Sequence, residues 1–190
     1  MMTTPGAGAT PGQTVGPFFG FALPYLGGAD LVAPGHPAAV RLRGRVLDGA
    51  GEPVPDALLE LWQLGPGGAV VRCAGSLRRD GWTFTGWGRA ATDNTGAYGF
   101  TTVVPGCHGD AAPFLALTVF ARGLLDRLFT RCYLPGDERA LARDPLLSAL
   151  PADRRDTLVA TRTDDGFAFD IRLQGERETV FLSYRPVARE

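Results

Sequence analysis

The chain has 190 residues, 45% of them hydrophobic and 21% charged, with a formal net charge of -1. That length suits one domain with a sizeable core, and the balanced charge argues against a binder of nucleic acid or anionic membrane. All 19 cations are arginine, and no apolar run approaches the roughly 18–20 residues a membrane helix needs.

Residues 1–38 read as an arm. The stretch TPGQTVGPFFGFALPYL, Thr10 to Leu26, is too rich in Gly and Pro for a regular helix or central strand. It also carries Phe18, Phe19, Phe21 and Tyr25, and disordered segments are poor in aromatics. The arm is therefore expected to pack, on its own domain or on another chain.

From residue 39 the pattern changes, and 39–190 reads as one β domain. AVRLRGRVLD (39–48) alternates, with Leu42, Gly44 and Val46 on one face and Arg41, Arg43 and Arg45 on the other. GAGEPVP (49–55) is a turn, and ALLELWQL (57–64) is the next strand, with Leu59, Leu61 and Gln63 on one face. Residues 65–90 are glycine-rich and read mostly as loop. Strands follow over Tyr98 to Val104, over 114–123 and over 127–137. Residues 137–157 are helical in composition, but Pro145 and Pro151 divide them into short pieces. A hairpin turning at Asp164-Asp165-Gly166 joins 158–163 to 167–175, and TVFLSY (179–184) is the last strand. Short strands, frequent turns and little helix predict an all-β chain, an antiparallel β-sandwich.

Self-contained chemistry is hard to find. His36 and His108 are the only histidines, each in its own Gly/Pro loop, with no H-x-H or H-E-x-x-H pattern. There is no G-x-S-x-G elbow and no phosphate-binding glycine motif. Cys73, Cys107 and Cys132 are odd in number and form no C-x-x-C pair, so neither a disulfide frame nor a zinc site is indicated. Reduced thiols, and the lack of any basic residue before Arg41, lead us to expect a cytoplasmic protein. TDNTGAYGFTTVVPG (92–106) is ordinary sandwich punctuation, and the tyrosines of the strands are expected to pack with hydroxyls at the rim. Arg122 ends an apolar run beside Gly123; it can clamp a carboxylate, or pair with Asp126 or Glu138. On these residues alone, a non-catalytic sandwich that binds a ligand or protein is an alternative.

Several phrases occur in a telling order: TPGQTVGPFF, VLDGAGEPVPDALLELWQ, GWGRAATDNTGAYGFTTVVPG, TVFARGLLDRLFTRCYLPGD and FAFDIRLQGERETVFL. Together they resemble the intradiol ring-cleaving dioxygenases, and among them the alpha subunits of the two-chain enzymes that act on 3,4-dihydroxybenzoate. The resemblance implies the intradiol β-sandwich and a place in aromatic catabolism. It implies oxidative opening of the ring between the hydroxyl carbons, with O₂, to 3-carboxy-cis,cis-muconate. It implies a non-haem Fe(III) held by two Tyr and two His, all from the beta subunit, with αβ units assembled into a larger hetero-oligomer. Where the beta chain carries its H-x-H pair this chain has Phe114-Leu115-Ala116, and where it places a ligand Tyr this chain has His108 after Cys107. No metal ligand and no catalytic residue is therefore expected here. The resemblance assigns Thr14, Gly16, Pro17 and Phe18 to the wall of the partner's substrate pocket, with Phe where Tyr is usual. It assigns Arg122, in F-A-R-G, to the substrate's carboxylate. Trp82 and Trp87 are candidate interface residues.

Overall fold

The computed structural model describes residues 14, 16, 18–73, 79–80 and 82–184. Two sheets face one another. In the first, β1 (Val40–Leu47) runs antiparallel to β4 (Ala97–Thr102) and parallel to β8 (Gly166–Ala168) and β9 (Ile171–Arg172), and β7 (Thr161–Thr163) closes the edge against β8. The second is antiparallel, in the order β3 (Trp87–Ala91), β2 (Leu58–Trp62), β5 (Phe114–Phe120), β6 (Leu128–Tyr133). The sandwich is thus mixed rather than purely antiparallel.

The alternation read from the sequence sets the core. Leu42 and Val46 of β1, Leu59 and Leu61 of β2, and Leu115, Leu117 and Val119 of β5 are buried together, while Arg41, Arg43 and Arg45 point to solvent. A second cluster lies beyond β6. There Leu141 of α2 (Glu138–Arg143) and Leu147 of α3 (Pro145–Ser148) pack with Tyr133 and Leu158, and α4 (Ala152–Asp156) follows. Pro145 sits in the first turn of α3, where its missing N–H costs nothing, so it starts a helix while ending the previous one.

Four local expectations change. The loop expected over 65–90 ends in strand β3, an edge strand whose Gly and Ala give weak strand propensity and which, among the described strands, pairs with β2 alone. The strand expected over 167–175 is split into β8 and β9. At the break, Tyr98 donates its hydroxyl to the Phe169 carbonyl and Asp170 accepts from the Arg45 N–H. Gly44 lies opposite; a Cβ there would sit 1.8 Å from the Phe169 oxygen, so only glycine permits this approach. The last strand reduces to one bridge, Leu182 to Phe129. Finally, Tyr98 and Tyr133 are buried rather than at the rim, each with its hydroxyl hydrogen-bonded.

The arm divides in two. Residues 28–32 belong to the sandwich: Leu31 and Val32 are buried, and the Leu31 and Thr101 N–H groups donate to the Thr101 and Ala29 carbonyls. Ahead of them lies one helical turn, α1 (Phe19–Ala22), in a stretch expected to be irregular.

Candidate functional site

Two arginines fasten the arm. The Arg79 guanidinium donates to the Tyr25 hydroxyl and Gly28 carbonyl of the arm and to the Thr85 hydroxyl and Trp87 carbonyl of the sandwich. Arg89 donates to the Leu23 carbonyl, pairs with Glu60 and lies over the Trp87 ring. Tyr25 stacks on Trp87 with centroids 6.4 Å apart. Trp87 is thus used inside the chain, whereas Trp82 is 75% exposed. Neither arginine was legible as an anchor, because its partners lie far away in sequence.

The anchored arm presents α1 at one end of the sandwich, beside the turn before β2. A Cβ on Gly20 would lie 3.8 Å from the Asp56 Cβ. Asp56 has φ of +62°, the one non-glycine residue with positive φ among the described residues. Buried Thr92 shapes that turn by donating to the Val54 carbonyl and accepting from the Ala57 N–H. Asp56 Oδ2 lies 2.7 Å from Arg122 Nε. Arg122 follows β5 at the mouth of a turn in which Gly123 adopts φ of +87°. Its partner is therefore Asp56, not Asp126 or Glu138.

The structure brings α1, Asp56 and Arg122 together. Thr14, Gly16 and Phe18, which precede α1 in the chain, are exposed, and a Cβ on Gly16 would meet no atom within 4 Å. Pro17 lies outside the described residues. Phe18 and Phe21, 78% and 86% exposed, and Leu26 leave apolar side chains of the arm uncovered.

The strand segment Phe114 to Ala116 presents no metal donor from either residue. Ala116 pairs across the sheet with Arg131, whose guanidinium carbon stands 4.1 Å from the Phe114 ring centre. Arg131 donates to the Tyr133 hydroxyl, which in turn donates to buried Asp144. Burial pushes the phenols of Tyr98 and Tyr133 and the thiol of Cys132 well above their usual range, so none offers an anion readily. His36 accepts from the Ala38 N–H in its own loop, and His108 is exposed in another. No group of three or more His, Cys, Asp or Glu able to hold a metal occurs among the described residues. Among the described residues the donors around this segment do not fit an iron centre, and a cation such as Arg131 beside Phe114 disfavours one.

The Dioxygenase family model matches residues 30–175. The chain is 40% identical to the protocatechuate 3,4-dioxygenase alpha chain of Burkholderia cepacia, over 91% of this chain and 96% of that one. It is 36% identical to the alpha chain of Pseudomonas putida, over 92% and 96%, and 34% identical to the beta chain of B. cepacia, over 79% and 71%. Among solved structures it resembles the dioxygenase domain of a carbohydrate-binding fusion from Streptomyces sp. SirexAA-E, with TM-score 0.56 at 24% identity over 78% of this chain and 88% of that one. It also resembles catechol 1,2-dioxygenase from Pseudomonas arvilla C-1, with TM-score 0.52 at 22% identity over 77% and 55%. With its mixed β-sandwich and these end-to-end relatives, the chain belongs to the intradiol dioxygenase family.

Proposed function

We propose that this chain is the alpha subunit of a protocatechuate 3,4-dioxygenase, which opens the ring of 3,4-dihydroxybenzoate with O₂. Its similarity to alpha chains along nearly the whole of both sequences carries the reading. The reading gives the non-haem iron to a beta-chain partner. Its support is the donor chemistry: Phe and Ala on β5 under an arginine, and phenols committed to internal hydrogen bonds.

In this assignment the chain's work is binding and positioning. Thr14, Gly16, Pro17 and Phe18 wall the partner's pocket. Glycine permits close approach to the ligand, and proline limits the ordering cost of assembly. Arg122 supplies positive charge for the substrate carboxylate, and its end-of-strand placement, paired with the Asp56 against which α1 lies, supports this. The exposed aromatic surface of the arm suits a large, apolar, obligate interface. The αβ pairs assemble further into a symmetric hetero-oligomer. No helix among the described residues is long and apolar enough to cross a membrane. Three cysteines without a C-x-x-C pair suit a reducing compartment, the cytoplasm.

The test is oxygen uptake with 3,4-dihydroxybenzoate by the chain alone and co-purified with a beta chain, with the ring-opened product identified by mass. Uptake and a tricarboxylate product only in the complex support the assignment. A stable complex that consumes no oxygen refutes it.

A further inference from the structure

The ion pair between Asp56 and Arg122 joins three features. Asp56 is held at positive φ, a conformation costly for most side chains but tolerated by Asp, Asn and Gly. Its turn is fixed by Thr92 and lies against the arm at Gly20. It meets Arg122 through Nε at 2.7 Å, and the Arg122 side chain is 58% exposed, with no other polar partner among the described residues. A guanidinium carries five N–H donors; with Asp56 set against Nε, an edge remains for a second carboxylate.

Such a pair is electrically balanced. Coulomb attraction falls as 1/r, so a carboxylate about 4 Å from the guanidinium and about 7 Å from Asp56 has roughly half its attraction cancelled. Ring opening between two hydroxyl carbons converts a substrate with one carboxylate into a product with three. A bare arginine would therefore hold product more tightly than substrate.

We propose that Asp56 is the positioning residue and counter-ion of Arg122, aiming its free edge at the substrate carboxylate while weakening its grip on anions. The inference rests on the reading of this chain as a wall of the partner's pocket.

The experiment uses the complex with the iron-bearing partner. Asp56→Asn preserves the shape and the tolerance of positive φ but removes the charge. The readouts are KM for 3,4-dihydroxybenzoate, inhibition by the ring-opened product, and competition by catechol, the same diol without the carboxylate. KM is expected to fall roughly fivefold, with product inhibition tightening by at least as much and catechol unaffected. Adding Arg122→Met should abolish the gain. An unchanged or raised KM, or an equal shift for catechol, overturns the proposal while leaving the function intact. A wild-type complex that cleaves no 3,4-dihydroxybenzoate removes the function and this proposal together. Should Asp56→Asn fail to assemble, Asp56→Gly provides the same comparison; failure of both assigns the pair a purely structural role and also overturns the proposal.

Discussion

Arg79 decides whether the arm stays on the sandwich. Its guanidinium makes four hydrogen bonds: 2.6 Å to Thr85, 2.9 Å to the Trp87 carbonyl, 3.0 Å to the Tyr25 hydroxyl and 3.2 Å to the Gly28 carbonyl. The last two cross from sandwich to arm. A hydrogen bond from a charged group contributes about 1.5 kcal/mol net, so Arg79→Met should cost about 3 kcal/mol of arm docking. The Tyr25–Trp87 stack and the burial of Leu31 and Val32 remain, so the variant should still fold. Hydrogen exchange reads the loss directly. The Arg89, Leu31 and Thr101 amides bond to Gly28, Thr101 and Ala29 across the same seam. Their exchange should accelerate roughly a hundredfold, since about 1.4 kcal/mol is a factor of ten. Core amides of β5 should change far less. Unchanged protection at the seam, or an equal loss in β5, would refute the anchoring role.

Other predictions follow from buried polar groups and from the site. Asp144 is fully buried and accepts from the Ala112, Leu146 and Leu147 N–H groups and the Tyr133 hydroxyl. Asp144→Ala should lower stability by about 4 kcal/mol in urea unfolding, and Asp144→Asn by about half that; a loss under 1 kcal/mol would show that the network relaxes. Tyr98→Phe leaves the Phe169 carbonyl without its donor and should cost about 1–2 kcal/mol. Burial raises the Tyr98 phenol above its ordinary 10.0, so the folded chain holds that proton more tightly than the unfolded one. Its contribution is complete below pH 10.0 and is lost as pH rises further, a slope that Tyr98→Phe should flatten in denaturation at alkaline pH. Arg122→Ala in the assembled complex should raise KM for 3,4-dihydroxybenzoate roughly tenfold, as expected for a partly exposed charge-assisted contact; unchanged KM and kcat would remove it from the pocket.

What the sequence revealed depended on whether a residue's partners were near or far. The alternation in β1 and β2 placed Leu42, Val46, Leu59 and Leu61 inward because burial of one face is a local, period-two signal. Pro145 and Pro151 divided the helices for an equally local reason. The split between β8 and β9 was not legible, since it depends on Gly44 meeting a carbonyl from the far end of the chain. The edge strand β3 was hidden by its own glycine and alanines. In the site, Arg122 could be singled out by its place at a strand end, but its partner could not. Asp56 sits in a Pro-rich turn that reads as connection only, and it meets Arg122 through tertiary packing. The arm's aromatics signalled a buried role, yet Tyr25 stacks on Trp87 of the edge strand, Phe19 is half-buried, and Phe18 and Phe21 remain outside.

The central claim is a division of labour: this chain shapes the pocket and a partner holds the iron. Metal analysis tests it most directly, on this chain alone, on the complex with a beta chain, and on the complex carrying His36→Ala and His108→Ala here. The account predicts no bound iron in the lone chain, stoichiometric iron in the complex, and the same iron content after both substitutions. Iron bound by the lone chain, or lost from the complex when His36 and His108 are removed, would contradict it.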